Sequence, residues 1–215
     1  MKIIKPSYEI LTPIDTEDIY RKIERIGRIC YKSEAAISEE SGERFVRNLV
    51  KRGHEAMLEH AHITVIFTVD RGVSHELVRH RMASFAQEST RYCNYSQDKF
   101  GSEITVIEPC YLEHGSPAYC DWKQAMKTCE ESYLEMLTAG STPQKARAVL
   151  PNSLKTEIAV TANLREWRHI LKLRAAGVTG QPHPQMAEIM IPLLKEFQEK
   201  LPAVFDDIAM KTAEK

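Results

Sequence analysis

The sequence predicts an α+β fold: a small, mainly antiparallel sheet covered by helices, in a single domain over residues 1–215. Three observations lead there. Alternating apolar stretches are few, near 61–70, 103–108 and 154–160, and the helical stretches between them are too irregular for a βαβ series. The 215-residue length suits one domain, which buries roughly 70% of its unfolded surface. No internal repeat, low-complexity tract or Pro/Gly-rich linker divides the chain.

Residues 2–11 predict a strand interrupted by Pro6, which suits a sheet edge because proline has no N–H for the ladder. A helix follows over about 16–31, where Ile19, Ile23 and Ile26 recur at helical spacing behind acids in the first turn. The next covers about 42–52, capped by Ser41 and stopped by Gly53. In AHITVIFTVD, residues 61–70, Ile63, Val65, Phe67 and Val69 share one strand face. A short helix carrying HELVRHRM follows Gly72 and breaks into FAQESTRYCNYSQD, whose polar composition predicts a loop. A strand near 103–108 leads to the longest helix, about 117–139, with Ser116 as N-cap, Pro117 at its first position and Gly140 just past its end. Thr142-Pro143 repeats that entry signal for a short helix ending before Pro151. Leu154, Thr156, Ile158 and Val160 then alternate as a strand, and REWRHILKLR returns to helix. A last helix over 184–200 is predicted to bend at Pro192.

Composition bounds the function without supplying it. Hydrophobic residues at 43% and charged residues at 27% are ordinary for a soluble globular protein. A formal net charge of −1 creates no global field toward nucleic acid or an anionic membrane, so any bound anion must be met by a local Arg or Lys cluster. No apolar run approaches the ~18 residues of a membrane span. The first ten residues, MKIIKPSYEI, place polar side chains and Pro6 where a signal peptide needs an apolar core, which predicts a cytoplasmic protein. The five cysteines are odd in number and match no zinc-ribbon spacing, predicting reduced, mostly buried thiols.

The densest chemistry is in RHRMASFAQESTRY, residues 79–92. On the predicted helix Arg79, His80 and Arg81 fan over an arc of about 200°, too wide for one small anion. Such a fan suits a position between two ligands, or between a ligand and another chain; a solvated basic face fits the charge pattern equally well. Gln87, Glu88, Ser89, Thr90 and Arg91 then supply the donors and acceptors that a phosphate and a uracil edge require. The same arginines and tyrosines would serve a nucleic-acid-binding module, but the near-neutral charge argues against a nucleic-acid partner. His54, His60 and His62 invite a zinc-hydrolase reading; no helical His-x-x-x-His pair with a neighbouring Glu exists, so no metal is predicted.

Arg79-His80-Arg81 followed after seven residues by Ser89 resembles the signature of the flavin-dependent thymidylate synthases. RGHEAMLEH (52–60), KARAVLP (145–151), TANLREWRHILKLR (161–174) and HPQM (183–186) resemble further elements of that family in the right order. Gln87 stands where many members have Glu, and Ala56 where Ser or Thr is common.

The resemblance implies methylation of dUMP to dTMP, with 5,10-methylenetetrahydrofolate as carbon donor and FAD, reduced by NADPH, as hydride carrier. It makes Arg174 catalytic, polarising the uracil; a helix-end arginine that bonds carbonyls is the structural alternative. It assigns FAD to His54, Arg79, His80, Arg81, Gln87, Asn163, Leu164, Arg165 and His169. To dUMP it assigns Glu76, Leu77, Val78, Arg79, Gln87, Glu88, Ser89, Thr90, Arg91, Arg147 and Arg174. It also implies a homotetramer with sites shared between subunits. The flavin would not use a dinucleotide fingerprint, since GVTG (177–180) falls short of one.

Overall fold

The computed structural model describes residues 1–210. In chain order, its first elements are β1 (Lys2–Ile4), β2 (Ser7–Ile10), α1 (Thr16–Ile29), α2 (Ser41–Lys51), β3 (His62–Asp70), α3 (Arg71–Leu77) and β4 (Ser84–Gln87). There follow β5 (Thr105–Ile107), α4 (Pro117–Thr138), α5 (Pro143–Ala146), β6 (Lys155–Asn163), α6 (Leu164–Arg174), α7 (Pro184–Lys200) and α8 (Pro202–Phe205). Four strands form an antiparallel sheet in the order β2-β3-β6-β4, and β1 pairs in parallel with β5, Ile3 opposite Val106. This is the α+β class that the pattern predicts. Pro6 separates two strands belonging to different sheets, with β2 at an edge.

Two compact units are distinguished. The first comprises Met1–Tyr8, Ile66–Arg79 and Phe85–Ala159; the second comprises Glu9–Val65, His80–Ser84 and the chain from Val160 onward. In the first, Tyr95, Ile104, Val106, Met126, Tyr133, Ala146 and Leu154 form an apolar cluster. Its long helix α4 starts as its sequence predicts, with Pro117 at N1 and the Ser116 side chain accepting from the Tyr119 N–H. Gly140 lies beyond its end at φ +89°, a conformation glycine adopts without a Cβ penalty.

In the second unit Trp167 is fully buried and its indole N–H donates to the Ile63 carbonyl at 2.9 Å, joining α6 to β3. Phe197 packs edge-on against Trp167 and in turn meets Phe205. Helix α1 is entered through Asp15, whose side chain accepts from the Asp18 N–H, and it buries Tyr20, Ile23 and Glu24. A Cβ on Gly27 would come within 2.7 Å of the Phe45 ring, so α1 and α2 approach closely there and a larger residue would require that ring to shift. Arg168 is 1% exposed; its guanidinium pairs with both oxygens of Asp207, with Glu55 and with the Val204 carbonyl. Burial pulls that guanidinium down, but Asp207 and Glu55 outweigh burial and raise its pKa.

Several local expectations are corrected. Ser41 is not the cap of α2: its hydroxyl donates to buried Glu24 and accepts from the Ser38 N–H, and it sits inside the helix start. The HELVRHRM helix stops at Leu77. Val73 and Leu77 are its last core residues, and with polar residues where the next apolar position should fall, the last turn tightens to Arg79 N–H→Glu76 carbonyl. Phe85–Gln87, predicted as the start of a loop, belongs to strand β4 because it finds a partner in β6. None of the five cysteines is in a disulfide, and against the expectation of buried thiols none is buried; Cys30, Cys110 and Cys120 are exposed. Among the described residues no helix is long and apolar enough to cross a membrane.

Candidate active site

Losing the helix over residues 78–82 changes the Arg-His-Arg motif. The chain turns through these residues, with the Ala83 N–H donating to the His80 carbonyl at 3.1 Å. His80 is thereby turned inward, 5% exposed, while Arg79 and Arg81 lie exposed. The motif thus lies in a turn and not on the helix that the sequence predicts.

Within the second unit, His80 meets three residues of α6. Arg174, the last residue of that helix, donates from Nε to His80 Nε2 at 3.2 Å. An Nε2 that accepts must carry no proton, so the neutral ring holds its proton on Nδ1. Nδ1 faces Glu166 Oε1 at 3.6 Å, and the His169 ring stands edge-on at 5.8 Å. Burial, then the Arg174 charge, then His169 lower the His80 pKa to about 4. Burial also raises the Glu166 carboxyl, with His169 opposing. Arg174 is thus oriented by a neutral histidine 94 residues away in sequence.

The start of α6 is equally determined. Asn163 is its N-cap and accepts from the Glu166 N–H at 2.8 Å, which occupies its side-chain oxygen. Leu164 is fully buried, and its N–H donates to the Ala61 carbonyl at 2.9 Å. Arg165 is exposed and pairs with Glu59 at 2.6 Å. Asn163, Arg165, Glu166, His169 and Lys172 share a cavity of about 420 Å³ with Met82, Glu55 and Glu59. Met82 is 74% exposed. The cavity lining sets a thioether beside two cations that each face a carboxylate, Arg165 at Glu59 and Lys172 3.9 Å from Glu55. His54 lines a separate, largely apolar cavity of about 500 Å³ with Arg52, Phe45, Leu49 and Met57.

The first unit holds the other cluster. Gln87 turns its amide nitrogen inward to Ser74 at 2.8 Å and Thr156 at 3.2 Å. After it the chain reverses: the Tyr92 and Cys93 N–H groups both donate to the Ser89 carbonyl. The Ser89 hydroxyl accepts from the Arg91 N–H at 3.3 Å. Arg147 donates to the hydroxyl of buried Thr90 at 3.4 Å, and Arg91 donates to Gln144 at 3.2 Å. Both guanidiniums are exposed. Glu76 and Val78 flank Leu77, which is 1% exposed and belongs to the core.

A family model described as thymidylate synthase complementing protein matches residues 14–203. The chain belongs to this family. The thymidylate synthase complementing proteins similar to it include a flavin-dependent thymidylate synthase of Corynebacterium aurimucosum, 33% identical over 202 residues covering 88% of this chain and 80% of that one. That of Corynebacterium glutamicum is 30% identical over 225 residues, covering 96% and 86%. The fold resembles that of a UMP/dUMP methylase, PolB, from Streptomyces cacaoi bound with 5-Br dUMP: TM-score 0.78, 20% identity, 96% of each chain covered. Membership makes this chain an enzyme of the methyltransferase class.

For this family member, the structure brings His80, His169 and Arg174 together, and separately groups Thr90 with Arg147 and Arg91 with Gln144. His54 is not placed in the cavity that holds Asn163, Arg165 and His169. Sequence reading passed over Glu166 beside His80, and Met82, Glu59 and Lys172 in that cavity. Glu166 had one signal, its place in the first turn after the Asn163 cap; Met82 had none.

Proposed function

We propose that this chain methylates dUMP to dTMP, with 5,10-methylenetetrahydrofolate as carbon donor and FAD, reduced by NADPH, as hydride carrier. One observation carries the reading: the hydrogen bond from Arg174 to His80 ties the candidate catalytic arginine to the centre of the Arg-His-Arg motif. The names of the relatives, and the nucleotide bound to the Streptomyces neighbour, support the reaction and its substrate.

When bound, FAD supplies the hydride transfer, leaving the protein to position and polarise. FAD is proposed to lie at the cavity at the start of α6, with Met82 against a ring and with Arg165 and Lys172 exchanging Glu59 and Glu55 for its phosphates. FAD contacts are proposed for His54, Arg79, His80, Arg81, Gln87, Asn163, Leu164, Arg165 and His169. Those to dUMP are proposed for Glu76, Leu77, Val78, Arg79, Gln87, Ser89, Thr90, Arg91, Arg147 and Arg174. The role of Arg174 is electrostatic. Its planar fork suits a uracil carbonyl and the adjacent nitrogen, favouring loss of the N3 proton, and a neutral His80 holds the fork without competing for the negative charge that develops. The active form is proposed to be a cytoplasmic homotetramer with sites shared between subunits.

The test is dUMP-dependent reoxidation of the reduced, flavin-loaded enzyme in the presence of methylenetetrahydrofolate, read as return of the oxidised flavin spectrum with formation of dTMP. A colourless preparation that also fails to take up added FAD would defeat the reading.

A further inference from the structure

The turn proposed to hold dUMP contains a carboxylate that faces away from ligand duty. The Glu88 side chain is 13% exposed and commits both oxygens inward. The Tyr95 hydroxyl donates to Oε1 at 2.8 Å, and Lys155 Nζ donates to Oε2 at 3.0 Å. The Glu88 N–H donates to the Glu157 carbonyl at 2.9 Å, so the same residue is a ladder rung against β6. The chain reverses immediately afterwards, at Ser89. The turn of Ser89, Thr90 and Arg91 therefore starts from a residue fixed by both main chain and side chain.

The partners of Glu88 are anchored in their turn. Tyr95 is part of the apolar cluster of this unit, and its N–H donates to the Tyr133 hydroxyl at 3.4 Å. Lys155 opens β6 and pairs with Glu157 at 2.8 Å as well as with Glu88. A cavity of about 320 Å³ is lined by Glu88, Tyr95 and Lys155, so on that side the polar network, not close packing, restrains the turn. Charge states agree with this arrangement. Burial, and then Glu88, push the Tyr95 phenol up, keeping it a neutral donor. Burial pulls the Lys155 ammonium down, but Glu157 and Glu88 outweigh it and leave the pKa raised.

We propose that Glu88, held by Lys155 and Tyr95, is a positioning residue that fixes the Ser89–Arg91 turn for dUMP, rather than a dUMP ligand as its place in the motif suggests. This rests on the reading of that turn as part of the dUMP site. Lys155 has a second duty. Without it, a largely buried carboxylate would stand at the base of a turn that must receive a phosphate, so repulsion would add to mobility. The two partners are therefore unequal.

The test measures KM for dUMP, kcat, flavin content and melting temperature in the flavin-loaded full-length enzyme. Glu88→Gln keeps a Tyr95 acceptor and loses the ion pair; KM for dUMP should rise roughly threefold. Lys155→Met strands the carboxylate, and KM should rise roughly tenfold or more, with kcat and flavin content close to the parent's. Lys155→Arg should keep the parent KM, and the Glu88→Gln/Lys155→Met double variant should fall back toward the Glu88→Gln value because the one carboxylate left unpaired, Glu157, is 57% exposed. If Lys155→Met does not fold, the Gln and Arg variants and the double variant still decide the matter. A lowered melting temperature with unchanged KM overturns the role, as does a fall in kcat alone. Failure of the parent enzyme to bind dUMP overturns the proposed reaction itself, and is distinct from binding that every variant retains.

Discussion

Acid should destabilise this protein through His80 in particular. The ring is 5% exposed and accepts a hydrogen bond from Arg174, and its pKa is held at about 4 against an ordinary 6.5. An unfolded histidine takes up its proton below pH 6.5, whereas the native ring does so only near pH 4. The unfolded state therefore binds more protons in that window, and stability falls as pH drops from 6.5 toward 4, then levels. Each pH unit between the two values is worth about 1.4 kcal/mol, so going from pH 7 to 4.5 should cost about 2–3 kcal/mol through this group. The charged and titratable groups facing the ring are Arg174, His169 and Glu166, all on α6. Glu166, its pKa raised by burial, acts in the opposite sense, because it protonates earlier in the native state. Comparison with His80→Gln removes the histidine from the balance while leaving an oxygen to accept from Arg174. Denaturant unfolding at the two pH values should show the parent losing about 2–3 kcal/mol more than the variant. Equal losses would mean that the native ring protonates like an exposed histidine, and the neutral-acceptor account of Arg174 would fail.

Other perturbations should separate chemistry from scaffold. Arg174→Lys keeps the charge but loses the planar fork, and kcat should fall on the order of a hundredfold while FAD is retained; near-normal turnover would reduce Arg174 to a helix-end residue. Asp207→Ala leaves Arg168, 1% exposed, with Glu55 as its remaining carboxylate partner, and should cost on the order of 3 kcal/mol in denaturant unfolding without altering KM for dUMP; a cost under about 1 kcal/mol would show that the pair is solvated. If sites are shared in a homotetramer, co-expressed Arg79→Ala and Arg174→Ala chains, each inactive alone, should recover activity where the two residues reach a site from different chains; an active monomer by light scattering would end that idea.

Much of the fold is legible because its signals are short-range. The face of β3 follows from the period of two in Ile63, Val65, Phe67 and Val69, all of them buried. Helix α4 starts at Ser116-Pro117 and ends before Gly140 because capping bonds reach only three or four residues. The same rules misread 78–82, where helical propensity was available but the apolar side chains of Val78 and Met82 stay exposed and add nothing to the core, so the helix stopped at Leu77. They also misread Phe85–Gln87, since a strand of polar composition is recognisable only once its partner β6 is beside it.

The chain by itself determined the family motif, the residue types able to meet an anion, and the near-neutral charge that argues against a nucleic-acid partner. Only the tertiary structure decided which of those residues are spoken for. Arg174 reaches His80 across 94 residues, and Lys155 reaches Glu88 across 67. Asn163, which reads as a ligand contact, uses its oxygen to cap α6. The cap is local and could have been read from the spacing of Asn163 and Glu166; the two long-range pairs share another reason. A polar group removed from water must take whichever partner is buried with it, and that pairing depends on packing between distant segments, not on spacing along the chain.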